Sequence, residues 1–499
     1  MDKFIESVQS QDIPLDGIDE LISSKNISCY YCFENTSPVK SWGAFMPPDI
    51  LCSSFYKALH DFPILSGRFK VDNLSRGYVE VDRNNLNMPV YTDADWDVEF
   101  KNLMDMGFKS NLLPDNFDDF CGIAAASRFG TVSAKLGVFH VRRLKNYSGV
   151  VVFASISHAV VDGYAYLAFM RRWAEISKWM QENPTINEST LLTATFSHDR
   201  SIHSEYRLDG TDALNSTLLK TINDSNAITR FFSSLPIDKR NSIFKAMVTS
   251  VPLSCCSFHV SIQALKAFQN SVQEYAPPGT WYSTNDVLTA LLTIVIGQAT
   301  YDVSDRKHNT FVSKVRRALF GDGSNKPRDI LAAVVINARS RVNHPRIKDF
   351  MGNLSITRSV LCPHELVQGK NYLESLSKIA TELRNILLAT DEKFVGQFNF
   401  LMNSESDMFM RVVLKYRKQN SITVSNVSKT GYYEIDFGAG IPCLVRPIFR
   451  ATPNLISVMP CHPDIGGYDV LAHLDRDVAK IVAQDKRWMG LVDSHYLDI

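Results

Sequence analysis

The sequence predicts an α/β (α+β) protein of two lobes, with mixed sheets and helices in each, and three observations carry that reading. The chain has 499 residues, more than one hydrophobic core ordinarily holds. Strand-like and helix-like segments alternate along it instead of clustering by type. No repeat of solenoid or propeller period is visible, so the alternation belongs to globular lobes with room for a cleft between them.

In chain order, the aromatic run "ISCYYCFE" (27–34) reads as a strand. "PDILCSSFYKALHDF" (48–62) sets Ile50, Leu51, Phe55, Leu59 and Phe62 at helical spacing and stops at Pro63. "ILSGRFKVD" and "GYVEVDR" read as hairpin strands joined through "NLSRG". "AKLGVFHVRRL" and "GVVVFASIS" pair around "KNYSG". "GYAYLAFMRRWAEISKWM" (163–180) then carries Tyr166, Met170, Trp173 and Met180 near helical spacing. The text turns polar from about 183 to 250, which places a crossover at 206–250 between an N-terminal lobe, 1–205, and a C-terminal lobe, 251–499. In that second lobe "SFHVSIQALKAFQNSV" and "STNDVLTALLTIVIGQA" are helical in period, the latter capped by Ser283 or Thr284. "ILAAVVINARSRV" reads as a buried strand ending in a basic pair, and "YYEIDFGAGIP" as a strand running into a glycine turn. "YDVLAHLDRDVAKIVAQDKRW" closes the chain as an amphipathic helix.

Composition removes several classes of function. Lys plus Arg and Asp plus Glu each total 53, so no overall field favours nucleic acid or an anionic membrane. The start, "MDKFIESVQSQDIPLDGIDEL", is acidic from position 2 and lacks the apolar core of a signal peptide. The longest apolar run, "VLTALLTIVIGQA", is shorter than a bilayer-spanning helix needs, so it reads as a buried helix. Nine scattered cysteines fit reduced thiols in a cytosolic compartment. Cys29 and Cys32 lie three apart in a strand, where their sulfurs point to opposite faces and cannot act as a redox pair. "SCCSFH" lacks metal-ligand spacing, so no metal is expected.

One stretch carries chemistry. "SISHAVVDGYAY" (155–166) puts His158 after a continuous apolar run, Asp162 four places on, and Gly163 directly behind it. Apolar runs of that kind are strands buried on both faces, and clefts open at their C-terminal ends. An imidazole with an ordinary pKa of about 6.5 is suited there to take a proton from an alcohol or amine attacking an activated carbonyl. Asp162 before Gly163 and a helical pattern also suits an N-cap. No Gly-x-Ser-x-Gly elbow, Walker loop or dinucleotide fingerprint competes.

"HAVVDG" resembles the HxxxD(G) motif of the BAHD acyltransferases and their relatives, the fungal trichothecene-type O-acetyltransferases and the peptide-synthetase condensation domains. "SSFYKALHDFPILSGRF", with Pro63, Leu65, Ser66, Gly67 and Arg68, is similar to the family's helix and "P-L-A-G-R" turn. "STNDVLTALL", "INARSRVNHP" followed by "FMGN", and "YEIDFGAG" resemble further segments, all in family order. "AQDKRW" looks more like the fungal branch than the plant one. The resemblance implies a two-lobed chloramphenicol acetyltransferase-like fold with a channel between the lobes, in which acyl-CoA (acetyl-CoA) and a small-molecule acceptor meet. It implies His158 as general base, Asp162 as structural support paired with Arg339, and Asp436, Gly438 and Gly440 as architecture near the channel. Gly163 belongs to the same structural set. Ser425, where relatives carry a hydroxyl residue, becomes the candidate oxyanion donor. No permanently bound cofactor, metal, nucleic acid or membrane enters this reading, and a cytoplasmic monomer is expected.

Departures from the family pattern narrow the substrate question. Ala439 and Val427 stand where plant members carry tryptophans, so the acceptor pocket has a different shape. Ser157 replaces the first histidine of the HHxxxDG pattern, which disfavours a condensation-type enzyme fed by a carrier protein. A catalytically silent binding protein on the same fold is the other alternative, and the pairing of His158 with Asp162 speaks against it.

Overall fold

The structure, a computed structural model, describes residues 2–22, 26–37, 40–71, 77–105, 135–184, 194–205, 253–308, 329–404, 420–448 and 453–498. The expected crossover at 206–250 lies outside them. Seven described strands precede it: β1 (Gln11–Pro14), β2 (Asn26–Glu34), β3 (Arg68–Val71), β4 (Gly77–Val81), β5 (Val90–Trp96), β6 (Gly137–Leu144) and β7 (Gly149–Ser157). Eight follow: β8 (Leu253–Val260), β9 (Ile330–Asn337), β10 (Ser355–Cys362), β11 (Asn420–Asn426), β12 (Leu444–Pro447), β13 (Leu455–Pro460), β14 (Tyr468–Asp475) and β15 (Val492–Asp498). They form a five-stranded sheet in the order β12-β2-β7-β6-β5, a seven-stranded sheet in the order β10-β9-β11-β13-β14-β8-β15, and a three-stranded sheet β1-β4-β3. The α/β character and the two mixed sheets match the expectation.

Strand β7 lies at the centre of the five-stranded sheet, antiparallel to both β2 and β6, and all nine of its residues are buried. Its side chains divide by alternation. Val150, Val152 and Ala154 enter the main N-terminal core, whereas Val151 and Phe153 enter a second cluster on the other face with Phe100 and Leu103. Cys29 and Cys32 of β2 divide in the same way, and neither forms a disulfide. Helices α1 (Pro48–Asp61) and α2 (Gly163–Glu182) cover the first face. Leu51, Phe55 and Leu59 of α1 are fully buried, and Trp173 of α2 packs edge-on against Phe55, Phe139 and Phe437 while its Nε1 donates to the Leu51 carbonyl.

In the second lobe, helices α3 (Ile262–Gln273), α4 (Thr284–His308) and α5 (Tyr372–Leu388) pack over the long sheet. Ser283 and Asp286 cap α4 reciprocally: the Ser283 amide donates to Asp286 Oδ2 at 2.7 Å, and the Asp286 amide donates to Ser283 Oγ at 3.3 Å. The helix is longer than its apolar run suggests, and Thr284–Arg306 has the length and apolarity to cross a membrane. Yet 78% of its most apolar stretch is buried inside the protein, so it is a core helix.

Several elements differ from the sequence reading for local reasons. Residues 253–260 form β8, because their burial alternates one by one; the helical pattern begins at Ile262, where Ser261 Oγ accepts from the Ala264 amide at 3.1 Å. Residues 468–475 likewise form β14, and Asp475 caps the short helix Arg476–Val482 that follows. "YYEIDFGAGIP" contains no strand: Gly431 in the left-handed region starts a 3₁₀ turn at Tyr432–Glu434, which buries both tyrosines. Pro63 opens a 3₁₀ turn, Pro63–Ser66, instead of ending the fold of that segment, so the strand after it begins only at Arg68.

Two segments cross between the lobes expected at 1–205 and 251–499. Strand β12 completes the N-terminal sheet by pairing with β2, and Phe437 and Ile435 join the N-terminal core. In return the short helix Gly17–Ile22 packs on α6 (Glu392–Ser404). The approach there is so close that a Cβ on Gly17 would lie 2.1 Å from the Met402 carbonyl oxygen, so only glycine fits. Each lobe thus holds a strap from the other.

Trp173→Ala removes the ring on which three others converge, and is expected to cost about 3–5 kcal/mol in urea unfolding. A loss below 1 kcal/mol would show that the aromatic cluster is not a determinant of this lobe.

Candidate active site

The end of β7 and the start of α2 are joined by one tight turn. The Val160 amide donates to the Ser157 carbonyl at 3.1 Å, Ala159, Val160 and Val161 are buried, and Asp162 caps α2 by accepting from the Ala165 amide at 3.0 Å. A four-residue separation therefore follows from geometry: His158 is the first residue past the strand and Asp162 the last before the helix. The N-cap reading of Asp162 is correct, and it is half of what that carboxylate does.

The other oxygen reaches the second lobe. Asp162 Oδ2 accepts from Arg339 Nη1 at 2.5 Å, from the Leu354 amide at 3.0 Å and from Ser355 Oγ at 3.4 Å. Arg339 Nη1 also donates to Asn337 Oδ1 at 3.3 Å, Nη2 donates to the carbonyls of Phe350 at 3.0 Å and Gly352 at 2.7 Å, and the guanidinium lies 4.4 Å from the centre of the Tyr164 ring. Burial by itself would raise the Asp162 pKa; the Arg339 charge and the four donors outweigh it and hold the carboxyl below the ordinary range. Both partners are buried, so neither ion can be removed without stranding the other.

His158 itself is half-buried, with its Nδ1 3.1 Å from Asn353 Oδ1. The orientation of Asn353 is fixed by its other end. Asn353 Nδ2 donates to Asp19 Oδ1 at 2.6 Å and to the His158 carbonyl at 2.8 Å, and a flipped amide would set an oxygen against both acceptors. The Oδ1 must therefore face the ring and accept, so Nδ1 carries the proton and Nε2 carries the lone pair. Asp19 in turn is anchored by Arg200 Nε at 3.0 Å, and Arg200 donates to the carbonyls of Val160 at 3.0 Å and His198 at 2.8 Å. Asp16 stands beside this group, with Oδ2 2.9 Å from His203 Nε2 and Oδ1 accepting from the amides of Ile18 and Asp19.

These supports were missed in the sequence. Asn353 stands in "FMGN", where the amide gives no sign of its partner. Asp16 and Asp19 were among the acidic residues that argue against a signal peptide, yet both are buried. Their spacing of three in "DGID" beside Ile18 is the signal that was available.

Other expected site residues fall on the frame around this turn. Asp436 Oδ1 accepts from the amides of Gly438 at 2.8 Å and Gly440 at 2.9 Å, and Oδ2 pairs with Lys178 of α2 at 2.7 Å. Burial opposes this charge and Lys178 with the two amides favours it, leaving the carboxyl below its usual range. Gly438 and Gly440 have φ of 93° and 88°, and a Cβ on Gly438 would also meet Gln181 Nε2 at 2.5 Å. Gly163 differs: it has no positive φ, and a Cβ there would meet nothing within 4 Å. Neither backbone conformation nor packing requires glycine there. Ser425 is half-buried near the end of β11. The register sets Thr423 and Val424 opposite Ala333 and Val334 of β9, and Ser355 of β10 opposite Asn337, so Ser425 lies toward the sheet end at which β10 begins. Val427 and Ala439 both pack against the N-terminal core, and Ser157 is fully buried.

Comparison with known proteins identifies the family and the fold. The model of the Transferase family matches residues 5–232 and 311–487. Acyltransferase BOA11 of Botryotinia fuckeliana is 21% identical over 407 residues, covering 79% of this chain and 77% of that protein. Putrescine hydroxycinnamoyltransferase 1 of Oryza sativa is 27% identical over 173 residues, which span 35% of this chain and 36% of the rice enzyme. Among solved structures, F. graminearum TRI101 complexed with coenzyme A and deoxynivalenol superposes with a TM-score of 0.66 at 16% identity, over 96% of this chain and 99% of that one. Vinorine synthase superposes at 0.59 and 15% identity, over 98% of each chain.

Asp162→Asn keeps the shape of the cap and removes the charge, and is expected to cost about 3–5 kcal/mol near neutral pH. Because the folded-state pKa lies below the unfolded value of about 3.9, the carboxylate stabilises the fold above that pH and loses its contribution as pH falls through the depressed value. The difference between wild type and variant in urea unfolding should be constant above about pH 5 and narrow below about pH 4. A difference independent of pH would contradict the ion pair.

Proposed function

Because the chain belongs to the Transferase family of BAHD-type acyltransferases, we propose that it moves an acyl group, acetyl in the first instance, from acyl-CoA to a hydroxyl of a small specialised metabolite, with His158 as general base. The observation that carries this is the orientation of one ring. With Nδ1 held by Asn353, the lone pair falls on Nε2, the nitrogen to which we assign the acceptor proton. The acceptor O–H proton passes to Nε2 as its oxygen attacks the thioester carbonyl carbon. The resulting tetrahedral intermediate expels the CoA thiolate, which takes the proton back from the imidazolium. The acyl–oxygen bond forms first and the acyl–sulfur bond breaks as the intermediate collapses, and no acyl-enzyme is needed.

Ser425 is the donor we assign to the oxyanion, a role typically worth about 3 kcal/mol of barrier. Asp162 takes no proton: its lone pairs are occupied by Arg339, two amides and Ser355, so it acts by holding the turn. The complexes of TRI101 with coenzyme A and a trichothecene support the same two-substrate reading for this fold. A cytoplasmic monomer is part of the proposal, since one chain supplies both lobes.

His158→Ala should lower acyl transfer from acetyl-CoA to a panel of alcohols by about 10²–10⁴-fold, measured by product mass spectrometry, with the circular dichroism spectrum retained. Undiminished transfer would assign the chemistry elsewhere. Asn353→Ala, which frees the ring but leaves it in place, should reduce kcat at least tenfold while KM for acyl-CoA stays within twofold.

A further inference from the structure

We propose that His259, Cys461 and Asp469 bind a single divalent transition-metal ion, zinc above all, at a seam between the two lobes. His259 on β8 and Asp469 on β14 are direct register partners, which puts their side chains next to each other on one face of the sheet. Cys461 follows the last residue of β13, the strand on the far side of β14. His259 Nδ1 lies 3.2 Å from Asp469 Oδ1 and 3.3 Å from Cys461 Sγ, and one ligand atom from each of the three residues falls within 4.8 Å of the others.

The choice of nitrogen decides what such a group can do. A Cys-His-Asp relay needs the thiol on one ring nitrogen and the carboxylate on the other. Here the two partners within hydrogen-bond distance both converge on Nδ1, and the carboxylate facing Nε2, Asp493, stands 3.9 Å away, beyond hydrogen-bond reach, so no continuous relay runs through the imidazole. Convergence of N, S and O on a common point is what a tetrahedral ion requires: with Zn–S near 2.3 Å and Zn–N and Zn–O near 2.0 Å, adjacent donor atoms stand roughly 3.3–3.6 Å apart. The observed separations need to open by only a few tenths of an ångström. A set of imidazole, thiolate and carboxylate suits zinc rather than magnesium or calcium.

The outer contacts have the right signs. Arg446, on β12 of the N-terminal sheet, donates to the other Asp469 oxygen, Oδ2, at 2.5 Å. It would orient that carboxylate and link the ion to the other lobe. Asp493 Oδ2 lies 3.9 Å from His259 Nε2, ready to accept that N–H once Nδ1 is given to the metal, the arrangement metal-bound histidines usually have. Gly467 lies so close that a Cβ would sit 2.9 Å from His259 Cε1, so this glycine keeps the space the ring occupies. On binding, the Cys461 thiol proton leaves to solvent, the Nδ1 proton moves to Nε2, and the thiolate and carboxylate balance the two charges of the ion. Water completes the fourth position.

The test is metal content and cobalt spectroscopy on the full-length protein. After incubation with Zn²⁺ and gel filtration, one zinc per chain is expected, and Co²⁺ should give tetrahedral d–d bands with a near-ultraviolet thiolate-to-cobalt band. Cys461→Ser should abolish that band and weaken Zn²⁺ binding by more than about 100-fold, and Arg446→Gln, which touches only the outer contact, should weaken it by about 10–100-fold while the band remains. If Cys461→Ser does not fold by circular dichroism, His259→Gln gives the same comparison. Substoichiometric zinc in the wild type, or a cobalt spectrum unchanged in whichever of these ligand variants folds, overturns the proposal.

Discussion

One buried carboxylate sets the conditions for everything around it. Asp162 closes the first turn of α2 with one oxygen and takes an arginine from the other lobe with the second. The first bond is local and follows from sequence; the second exists only if Arg339, Leu354 and Ser355 of the C-terminal half arrive at the same point. A single fully buried charge with four donors from two lobes cannot shift without breaking several bonds in a medium that does not replace them. The end of β7 is therefore held from both sides, and His158 sits on the only piece of chain between the strand and that anchor.

The ring is aimed by a second set of contacts that also crosses lobes. Asn353 belongs to the segment leading into β10, Asp19 to the short helix Gly17–Ile22 and Arg200 to the segment after α2. Their order, arginine to carboxylate to amide to imidazole, leaves each donor one acceptor and fixes the amide without ambiguity. The exchange of straps between lobes, β12 to one sheet and Gly17–Ile22 to the other, makes this possible, since it keeps three distant stretches of chain within hydrogen-bond reach of one histidine.

What was legible in the sequence divides along physical lines. β7, α1 and α2 were readable because their burial is set by period and by a two-faced apolar run, and the HxxxD spacing was readable because a strand end and a helix cap fix it. β8 and β14 were misread as helix because short apolar stretches carry no length signal, and the helix start after each, at Ser261 and Asp475, drew the whole segment into one pattern. The supports of His158 were invisible for a different reason: Asp19 and Asn353 lie 334 positions apart, and nothing local tells an exposed acid from a buried one. The same holds for His259, Cys461 and Asp469, where "SCCSFH" has no ligand spacing and sheet register supplies the proximity instead.

The central claim is that His158 is neutral with its proton on Nδ1, leaving Nε2 to accept. Nitrogen-15 NMR of protein labelled only at histidine imidazoles, with the His158 signals assigned by their loss in His158→Ala, reads that tautomer directly. The account predicts the Nδ1–H form for His158 at pH values where the ring is neutral. An Nε2–H tautomer would leave no base facing the acceptor and would contradict it.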